Sequence, residues 1–504
     1  MPIDFLFRSS APRALAAFLC LSTGIANGTT GQPGTLDSTW ANASPVGAGK
    51  LLTGFAGGGG ATSLALQPDG KVVLAGSCWA PGQSGFCAVR YNADGSLDQT
   101  FGSGGKFLMN FGSGARAVVT QPDGKLVLAG ICFTGNGDGF CAVRLTSNGT
   151  PDANFGASGQ VTTMIGNASD HAQAIVLQTD GKILLAGTCH NGVDTDFCMA
   201  RYNEDGSLDP GFGIGGKVIS AISAGRDQAV AIAAQSDGNI VLAGYCGVPG
   251  INEFCAARYQ GNGSFDSTFG TQGKVVTSIV PTAYNVPYSM ALQPDGKLVL
   301  VGGCERLCAL RYTTGGSLDS TFGTGGKVTT VISPNGQEVG RARAVAIQPD
   351  GKIVVAADCN DSSNNMPGFC ALRYNSDGVL DMTFGGSGKA IFSITNGAND
   401  MTAVALQPDG RILMAGTCTV GSDSYFCSNR LDGGPFGYKS CSLDIDGDNR
   451  VLATTDSLIH ARVALGITGS ALVNGISFPT EATRKTWPVI REYLVTQCGM
   501  SLVL

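Results

Sequence analysis

The sequence is poor in charge, in histidine and in long apolar runs. Charged residues make up 14% of the 504 residues, the net charge is −6, and there are three histidines. Because no excess of lysine and arginine is present to displace counterions from a phosphate backbone, we expect no nucleic-acid partner. Beyond the N-terminal segment, no run reaches the roughly 20 apolar residues that a membrane-spanning helix needs, so we expect no membrane span.

The N-terminal segment has the pattern of a secretory signal. Arg8 and Arg13 precede an apolar run at Ala14 to Leu21, and small residues follow as far as Ala26. The alternative, a membrane anchor, needs a longer apolar run. The pattern predicts a signal peptide at residues 1–26, and a protein that is secreted, periplasmic or on the cell surface.

Glycine is abundant, with 75 residues, and the chain contains an internal repeat. Each copy contains an apolar run, Gln-Pro-Asp-Gly-Lys or a variant of it, and a second apolar run. The glutamines that open the turns are Gln67, Gln121, Gln178, Gln235, Gln293, Gln348 and Gln407. A fixed period this long, with several short strands per copy, indicates radial or solenoid stacking.

One copy contains four short strands. In the second copy they are expected at Ala115 to Thr120, Lys125 to Gly130, Phe140 to Leu145 and Gln160 to Met164. Four antiparallel strands per copy are typical of a β-propeller blade, whereas a helical solenoid needs periodic helices.

The two ends of the repeat array are complementary. Residues 34–40 and 50–52 repeat the back half of a copy, and the seventh copy stops near Leu431 with its front half. We therefore predict an all-β domain at residues 27–435. It is a seven-bladed β-propeller of four-stranded antiparallel blades, whose last blade is completed by a strand at Lys50 to Thr53.

The repeated Leu-Gln-Pro-Asp-Gly-Lys, Val-Leu-Ala-Gly and Arg-Tyr-Asn-x-Asp-Gly-Ser-Leu-Asp segments resemble the delta-60 repeat of bacterial secreted proteins over residues 34–431. That resemblance implies a β-propeller outside the cell or in the periplasm, with no agreed activity. The paired cysteines of this chain are not part of the family pattern.

The cysteines follow the same period, two per copy, bracketing a hairpin loop. An even count behind a secretory signal favours disulfides, with the two Cβ atoms opposite each other. Zinc is the alternative at the short Cys304–Cys308 spacing, but it needs further ligands nearby. The predicted pairs are Cys78–Cys87, Cys132–Cys141, Cys189–Cys198, Cys246–Cys255, Cys304–Cys308, Cys359–Cys370, Cys418–Cys427 and Cys441–Cys498.

An arginine recurs once per copy and, in six copies, an aspartate follows eight residues later, as in Arg90 and Asp98. The alternating oxygens of Asn92, Asp94, Ser96 and Asp98 would suit a calcium loop. The favoured interpretation is a turn locked by an arginine–carboxylate pair, since Asp-Gly turns need no metal.

The copies differ in the loops between the paired cysteines and in the links between blades, which share one face. Varied loops on a rigid scaffold are the usual place for binding. We expect this face to bind an extracellular glycan or a surface protein, with Trp79, Tyr284, Tyr288 and Tyr425 as candidate ligand-binding residues. We expect a monomer.

Support for catalysis is thin. The three histidines belong to no recognisable nucleophile motif, and no Gly-x-Ser-x-Gly elbow is present. We therefore predict no catalytic residues and a binding or adhesion scaffold. The alternative is an extracellular propeller enzyme that acts on carbohydrate, a glycoside hydrolase or lyase, with carboxylates from different blades.

Residues 436–504 follow a different pattern. Asp444, Asp446 and Asp448, the Arg450 carbonyl and Asp456 are spaced almost as in an EF-hand loop, and predict bound calcium. Helices are expected at Asp456 to Leu465 and Trp487 to Val495. The segment resembles dockerin-like tails, but Asn449 replaces the usual glycine, the closing acid is one residue late and a second loop is missing. We therefore expect no cohesin-type partner.

Overall fold

In the computed structural model, the described residues are 32–80, 83–135, 137–248, 251–281, 285–332, 340–361 and 366–434, with scattered positions between 459 and 490. They form 28 strands. In chain order these are β1 (Lys50–Thr53), β2 (Gly59–Leu66), β3 (Val72–Ala80), β4 (Gln83–Tyr91), β5 (Lys106–Met109), β6 (Ala115–Thr120), β7 (Leu126–Phe133), β8 (Asp138–Leu145), β9 (Gln160–Thr163), β10 (His171–Leu177), β11 (Ile183–His190), β12 (Thr195–Tyr202), β13 (Lys217–Ser220), β14 (Asp227–Ala234), β15 (Ile240–Val248), β16 (Ile251–Tyr259), β17 (Lys274–Thr277), β18 (Val286–Leu292), β19 (Leu298–Gly303), β20 (Leu307–Tyr312), β21 (Lys327–Thr330), β22 (Arg341–Ile347), β23 (Ile353–Asp361), β24 (Met366–Tyr374), β25 (Lys389–Phe392), β26 (Asn399–Leu406), β27 (Ile412–Val420) and β28 (Asp423–Leu431).

The strands form seven four-stranded antiparallel sheets. Blades 1 to 6 each contain four consecutive strands, from β2–β5 to β22–β25, and blade 7 has the order β26-β27-β28-β1. The first strands of successive blades, β2, β6, β10, β14, β18, β22 and β26, pack against one another, and β26 packs against β2. The predicted seven-bladed propeller is confirmed, with these first strands around its centre.

The hydrophobic core lies between the blades. Seven buried clusters are present, each built from two neighbouring blades. In one of them, Val73 and Phe86 of blade 1 pack with Leu128 and Val143 of blade 2. Because each blade buries one face against each neighbour, no blade has a complete core of its own.

The ring is closed by the N-terminal strand. β1 pairs with β28 from Lys50↔Asn429 to Thr53↔Phe426. Arg430 Nε donates to Asp37 Oδ2 over 2.7 Å, and the guanidinium lies 5.4 Å from the Trp40 ring centre. The complementary ends of the array therefore form one blade, as the sequence predicts.

Blades 1 to 6 contain the same lock within one copy. The arginine Nε lies 2.7 to 2.9 Å from the aspartate Oδ2, and the guanidinium lies 4.4 to 4.9 Å from the centre of a phenylalanine ring. The pairs are Arg90–Asp98, Arg144–Asp152, Arg201–Asp209, Arg258–Asp266, Arg311–Asp319 and Arg373–Asp381. The favoured interpretation of the Asp-Gly turns is confirmed.

The locked arginines also join the blades. Arg201 Nη1 donates to Gly261 O over 2.5 Å, and Arg258 Nη1 donates to Thr314 O over 2.6 Å, in each case in the next blade. Across the closure, Arg430 Nη1 donates to Ala93 O of blade 1 over 2.9 Å. One buried guanidinium thus fixes a turn in its own blade and the position of the next blade.

In six blades the glycine of the Val-Leu-Ala-Gly segment or its variant lies opposite a bulge in the first strand and leaves no room for a side chain. The β2–β3 register shifts between Ala61 and Ser63, and a Cβ at Gly76 would collide with the Gly60 carbonyl oxygen. The same shift recurs in the other six blades. Blade 6 places Ala357 at the matching position, paired with Ala342.

Seven of the eight predicted disulfides are present, with Cα–Cα distances of 5.8 to 6.0 Å. The zinc alternative at Cys304–Cys308 is wrong, because these two cysteines are bonded to each other. The prediction that paired cysteines face each other is also wrong in detail. Cys78 pairs in register with Gly85, and Cys87 with Gly76, so the bridge is diagonal.

A smaller compact unit comprises Met1–Pro33, Pro408–Arg411 and Asp432–Leu504. In its C-terminal part Ile459 and the pair 489–490 are helical, and Ile490 N donates to Thr486 O over 3.0 Å. The remaining predictions for this part lie outside the described residues. They concern the calcium ligands Asp444, Asp446, Asp448, Arg450 and Asp456 and the pair Cys441–Cys498. No helix among the described residues is long and apolar enough to span a membrane.

The closing lock can be tested by Asp37→Ala. The substitution leaves Arg430 buried without its carboxylate, which we expect to cost about 3 to 5 kcal/mol of unfolding free energy. It should also release β1, so limited proteolysis should cleave the chain before residue 54. The control is Asp69→Ala, an exposed acid paired with Lys71, which should change stability by less than about 1 kcal/mol. An intact N-terminal segment and an unchanged melting temperature in Asp37→Ala would contradict the closure.

The locks predict acid sensitivity. Burial alone would raise the pKa of Asp98, but hydrogen bonds from Thr100 and the charges of Arg90 and Lys71 outweigh it and lower the pKa to about 2. The same balance lowers the pKa of the other lock carboxyls, Asp152, Asp209, Asp266, Asp319 and Asp381. A carboxyl whose pKa is lower in the folded protein than its unfolded pKa of about 3.9 stabilises the fold above pH 3.9. This stabilisation is lost as the pH falls through the pKa of the folded state.

We therefore expect the melting temperature to fall steeply between about pH 4 and pH 2. The loss of the Asp98 charge alone should lower the free energy of unfolding by about 2 kcal/mol. Calorimetric melting across this range measures it. In Asp98→Asn the fall should be shallower, and an identical pH profile in that variant would argue against the assignment.

Blade 7 contains an unsatisfied buried amide. Asn429 is fully buried in β28, and its Oδ1 and Nδ2 have no hydrogen-bond partner among the described residues. Blades 1, 2, 5 and 6 place Val89, Val143, Leu310 and Leu372 at this position. Replacing an unsatisfied buried amide with an apolar group of similar size should stabilise a protein by about 1 to 3 kcal/mol.

Asn429→Leu should accordingly raise the melting temperature of the oxidised protein. The control is the neighbouring Ser428→Ala, which should lower it because Ser428 Oγ donates to Met414 O over 2.7 Å. If Asn429→Leu lowers the melting temperature, the amide has a partner in solution.

Candidate functional site

The propeller has two chemically different faces. Strand direction alternates within each blade, so the Pro-Asp-Gly turns and the links between third and fourth strands share one side, the turn face. The hairpins between second and third strands and the links between blades share the other side. We call it the disulfide face, because each hairpin there is closed by a disulfide.

The turn face is nearly the same in each blade and is occupied by structural ion pairs. A groove of about 470 Å³ between blades 1 and 2 is lined by Asp69, Lys71, Arg90 and Ser147. Lys71 Nζ bridges Asp69 and the lock carboxylate Asp98, at 3.1 and 3.4 Å. Since the groove is built from the repeat and its charges are paired, we do not assign a ligand site there.

The disulfide face has exposed apolar side chains at the tips of its hairpins. Among the described residues, five of the seven hairpins carry one, with exposed fractions from 47% to 88%. They are Trp79, Phe133, Val193, Ile251 and Val420. We call these five residues the apolar tips. The sequence predicted Trp79 but missed the other four, although each lies in a loop between paired cysteines.

The predicted aromatic residues do not form one platform. Trp79 is exposed at the tip of its hairpin, and Tyr425 is partly buried with its ring against Gly54. Tyr288 lies on β18, where the Arg343 guanidinium covers its ring at 4.7 Å from the centre. No ring contact among the described residues joins these three side chains, and Tyr284 lies outside the described residues.

The inner strands differ most at the disulfide face. At this end of the central channel, the residues before and after the buried residue at the bulge differ from blade to blade. In blade order they are Gly60 and Thr62, Gly114 and Arg116, His171 and Gln173, Gln228 and Val230, Val286 and Tyr288, Arg341 and Arg343, and Asp400 and Thr402. Blade 6 is the one blade among these that has arginine at both positions.

A polar cluster joins three blades at this position. Arg343 Nε of blade 6 lies 2.5 Å from Asp358 Oδ2, and its guanidinium lies over Tyr288 of blade 5. Asp358 Oδ1 accepts a hydrogen bond of 3.0 Å from Met401 N of blade 7. Burial raises the pKa of Asp358 despite the Arg343 charge, and burial followed by the nearby Tyr288 raises the pKa of Tyr245 in blade 4.

The sequence analysis missed Arg341, Arg343, Asp358 and Tyr245. Aligning the seven copies residue by residue along the inner strands would have drawn attention to the two arginines, because no other copy has arginine at both positions.

The described histidines are held by local contacts. His171 Nε2 lies 3.1 Å from Asp138 Oδ2, and His190 Nδ1 accepts a hydrogen bond of 3.0 Å from Gly192 N. Within the described part of the chain, no group of three or more His, Cys, Asp or Glu side chains could hold a metal ion.

Solved structures similar to this chain include Sqt1 from Chaetomium thermophilum bound to the N-terminus of the ribosomal protein L10, with 11% identity, 72% of this chain and 84% of that chain covered, and a TM-score of 0.40. The β-propeller domain of the Trilobed protease from Pyrococcus furiosus has 9% identity and a TM-score of 0.40, and the match covers 75% of this chain and 95% of that chain. The polysaccharide lyase Uly1 has 11% identity and a TM-score of 0.43, and the match covers 74% of this chain and 90% of that chain.

No curated protein matches the sequence. Six segments match the family described as domain of unknown function (DUF5122) beta-propeller, at residues 67–101, 121–155, 178–212, 235–269, 293–322 and 348–384. Each match begins at the glutamine that opens a Gln-Pro-Asp-Gly-Lys turn or its variant, and runs through the locked arginine and aspartate. Six segments that match this family model, together with seven four-stranded blades, show that the chain is built of β-propeller repeats similar to those of this family.

Proposed function

We propose that this protein is a secreted, non-enzymatic binding scaffold whose disulfide face docks onto an extracellular protein. The apolar tips carry this proposal. Five exposed apolar side chains in the disulfide-closed hairpins of five blades lie on one face of the propeller. Exposed apolar side chains that are displayed together on one face can bind a protein partner that covers several of them at once.

The scaffold holds the tips in place before a partner arrives. Each hairpin that carries a tip is closed by a disulfide, and its strands belong to a ring without a free end. Loops that are already ordered lose little conformational entropy on binding, so more of the contact energy appears as affinity. A rigid display of varied tips suits recognition of one partner surface.

A protein partner fits the tips better than a glycan does. Sugars are bound mainly by aromatic faces with polar groups beside them, and the predicted aromatic residues do not come together in that way. Three of the five tips, Val193, Ile251 and Val420, are aliphatic. Aliphatic tips add apolar area, which contributes to protein docking in proportion to the surface that is buried.

Secretion through the signal at residues 1–26 and calcium binding at Asp444, Asp446, Asp448, Arg450 and Asp456 are parts of this proposal. Calcium would hold the C-terminal loop through carboxylate and carbonyl oxygens, the ligands that this ion prefers. A cohesin-type partner for this segment is not part of the proposal.

The experiment uses the full secreted chain, oxidised, immobilised and exposed to surface proteins of the cells that produce it, with crosslinking to identify what is bound. The test variant is Phe133→Ser combined with Val193→Ser. The matched control is Ile214→Ser combined with Met382→Ser, which removes apolar side chains of similar exposure from the turn face.

We expect the test variant to weaken binding of the crosslinked partner about tenfold or more, since removing well-placed apolar contacts costs more than about 1 kcal/mol each. The control should bind as the parent chain does. Equal loss in both variants would contradict the assignment to the disulfide face. Binding of glycans alone, or cleavage of an added polysaccharide, would favour the carbohydrate alternatives.

A further inference from the structure

The hairpin of blade 3 on the disulfide face has an Asn-Gly pair at its tip. The loop 191–194 joins β11 to β12, whose last residue pair is His190↔Thr195. Gly192 in this loop is exposed, has a φ of 105°, and carries no side chain that would cover its backbone nitrogen. In an Asn-Gly pair this nitrogen can attack the side-chain amide carbon and close a five-membered ring. The groups around the pair therefore decide whether the two react.

A histidine accepts the hydrogen of this nitrogen. Gly192 N donates to His190 Nδ1 over 3.0 Å. Because a backbone N–H can only donate, Nδ1 is the unprotonated nitrogen of the ring and can take up that proton. A general base must lie within about 2.6 to 3.2 Å of the atom whose proton it removes, and His190 meets this condition in the folded chain.

The amide carbonyl of Asn191 faces two backbone donors. Its Oδ1 accepts hydrogen bonds from Val193 N over 2.7 Å and from Asp194 N over 3.0 Å. Attack on the amide carbon places negative charge on this oxygen, and donors that are already in position stabilise such a charge. The two N–H groups therefore have the arrangement of an oxyanion hole.

The amide nitrogen of the same side chain lies between two carboxylates. Asn191 Nδ2 donates to Asp194 Oδ1 over 2.8 Å and to Asp196 Oδ2 over 2.7 Å. When this nitrogen takes up a proton and leaves, positive charge develops on it, and carboxylates at this distance stabilise that charge. A base, two oxyanion donors and two carboxylates thus surround one amide group.

The hairpin is held from two sides. The Cys189–Cys198 disulfide closes its base. Asn167, in the link from blade 2, donates from its N to His190 O over 2.9 Å and from its Nδ2 to Asn191 O over 3.3 Å. Reacting groups that are held in place react faster than groups that must first find each other.

Two other Asn-Gly pairs that the structure describes have no base at the glycine nitrogen. They lie in corresponding turns of blades 2 and 4, Asn148–Gly149 and Asn262–Gly263. Gly149 N donates to Thr146 O, and Gly263 N donates to Gln260 O, each over 2.9 Å. Since a backbone carbonyl does not remove an amide proton, these two turns keep their glycine nitrogens unreactive.

We propose that the folded chain converts Asn191 into a succinimide, and by hydrolysis into aspartate and isoaspartate, with His190 as the base. Gly192 N attacks Asn191 Cγ, and its proton passes to His190 Nδ1. The oxyanion at Oδ1 is stabilised by the two backbone donors until the Cγ–Nδ2 bond breaks. His190 returns the proton, so the amide nitrogen leaves as ammonia. Water from the solvent then adds to one of the two ring carbonyls and opens the ring.

The product changes the charge at an apolar tip. A carboxylate replaces the amide that now donates to Asp194 and Asp196, so a third like charge is placed beside these two. Val193, two residues from the modified position, is 88% exposed. The modification is independent of the proposed function, because it needs only the chain and water, but it alters the surface to which that function is assigned.

The test is incubation of the full, oxidised chain at neutral pH, followed by peptide mapping with mass spectrometry for succinimide, aspartate and isoaspartate. We expect Asn191 to react at least about tenfold faster than Asn148 and Asn262, because a positioned base contributes about a hundredfold or more to a rate. In the reduced chain, unfolded in guanidinium chloride, the three rates should come together, since the sites then lose their different surroundings.

His190→Gln tests the base. Glutamine can accept a hydrogen bond from Gly192 N but cannot take its proton, so the rate at Asn191 should fall about tenfold or more. The melting temperature and the rates at Asn148 and Asn262 should stay those of the parent. The matched control is His171→Gln, which removes another partly buried histidine of blade 3 and should leave the rate at Asn191 unchanged.

Three results would overturn the proposal. They are equal rates at the three asparagines in the folded chain, an unchanged rate at Asn191 in His190→Gln, and an equal loss of rate in His171→Gln.

Discussion

The fold depends on one repeated interaction, a buried arginine held between an aspartate, an aromatic ring and the carbonyl of the next blade. A buried guanidinium without these partners would lose its hydration at a cost of several kcal/mol, so the lock forms as a unit or not at all. Arg258 shows all three contacts, with Asp266, with the Phe269 ring and with Thr314 O. Since the carbonyl belongs to the neighbour, a blade completes its own turn only when the next blade is in place.

The fold could be predicted in detail because it is repeated. Seven copies of one pattern give the blade, the split first and last copies give the closure, and the cysteine spacing gives the bridges. The diagonal geometry of the bridges could not be predicted, because it follows from strand register. Register here depends on the hairpin connections, and the spacing of Cys78 and Cys87 leaves two registers open.

The candidate site was only partly predictable. The varied loops indicate the right face, and Trp79 was found there because it is aromatic. Val193 and Ile251 were not, because an aliphatic residue in a loop has no chemical signature until its exposure is known. The polar cluster at the inner strands depends on Tyr288, Arg343 and Met401, which lie in three different blades. They come together only through the packing of neighbouring blades.

The pairing of β1 with β28 has a consequence for the order of assembly. The partner of Asp37 is Arg430, 393 residues later, so β1 is paired only after nearly the whole chain has been made. Blades 1 to 6 each contain four consecutive strands and can fold as they emerge, while β1 remains an open edge. At four residues, β1 is short enough to wait in this state with little risk of pairing with a second molecule. The short length of β1 thus lowers the risk of aggregation while the chain is still incomplete.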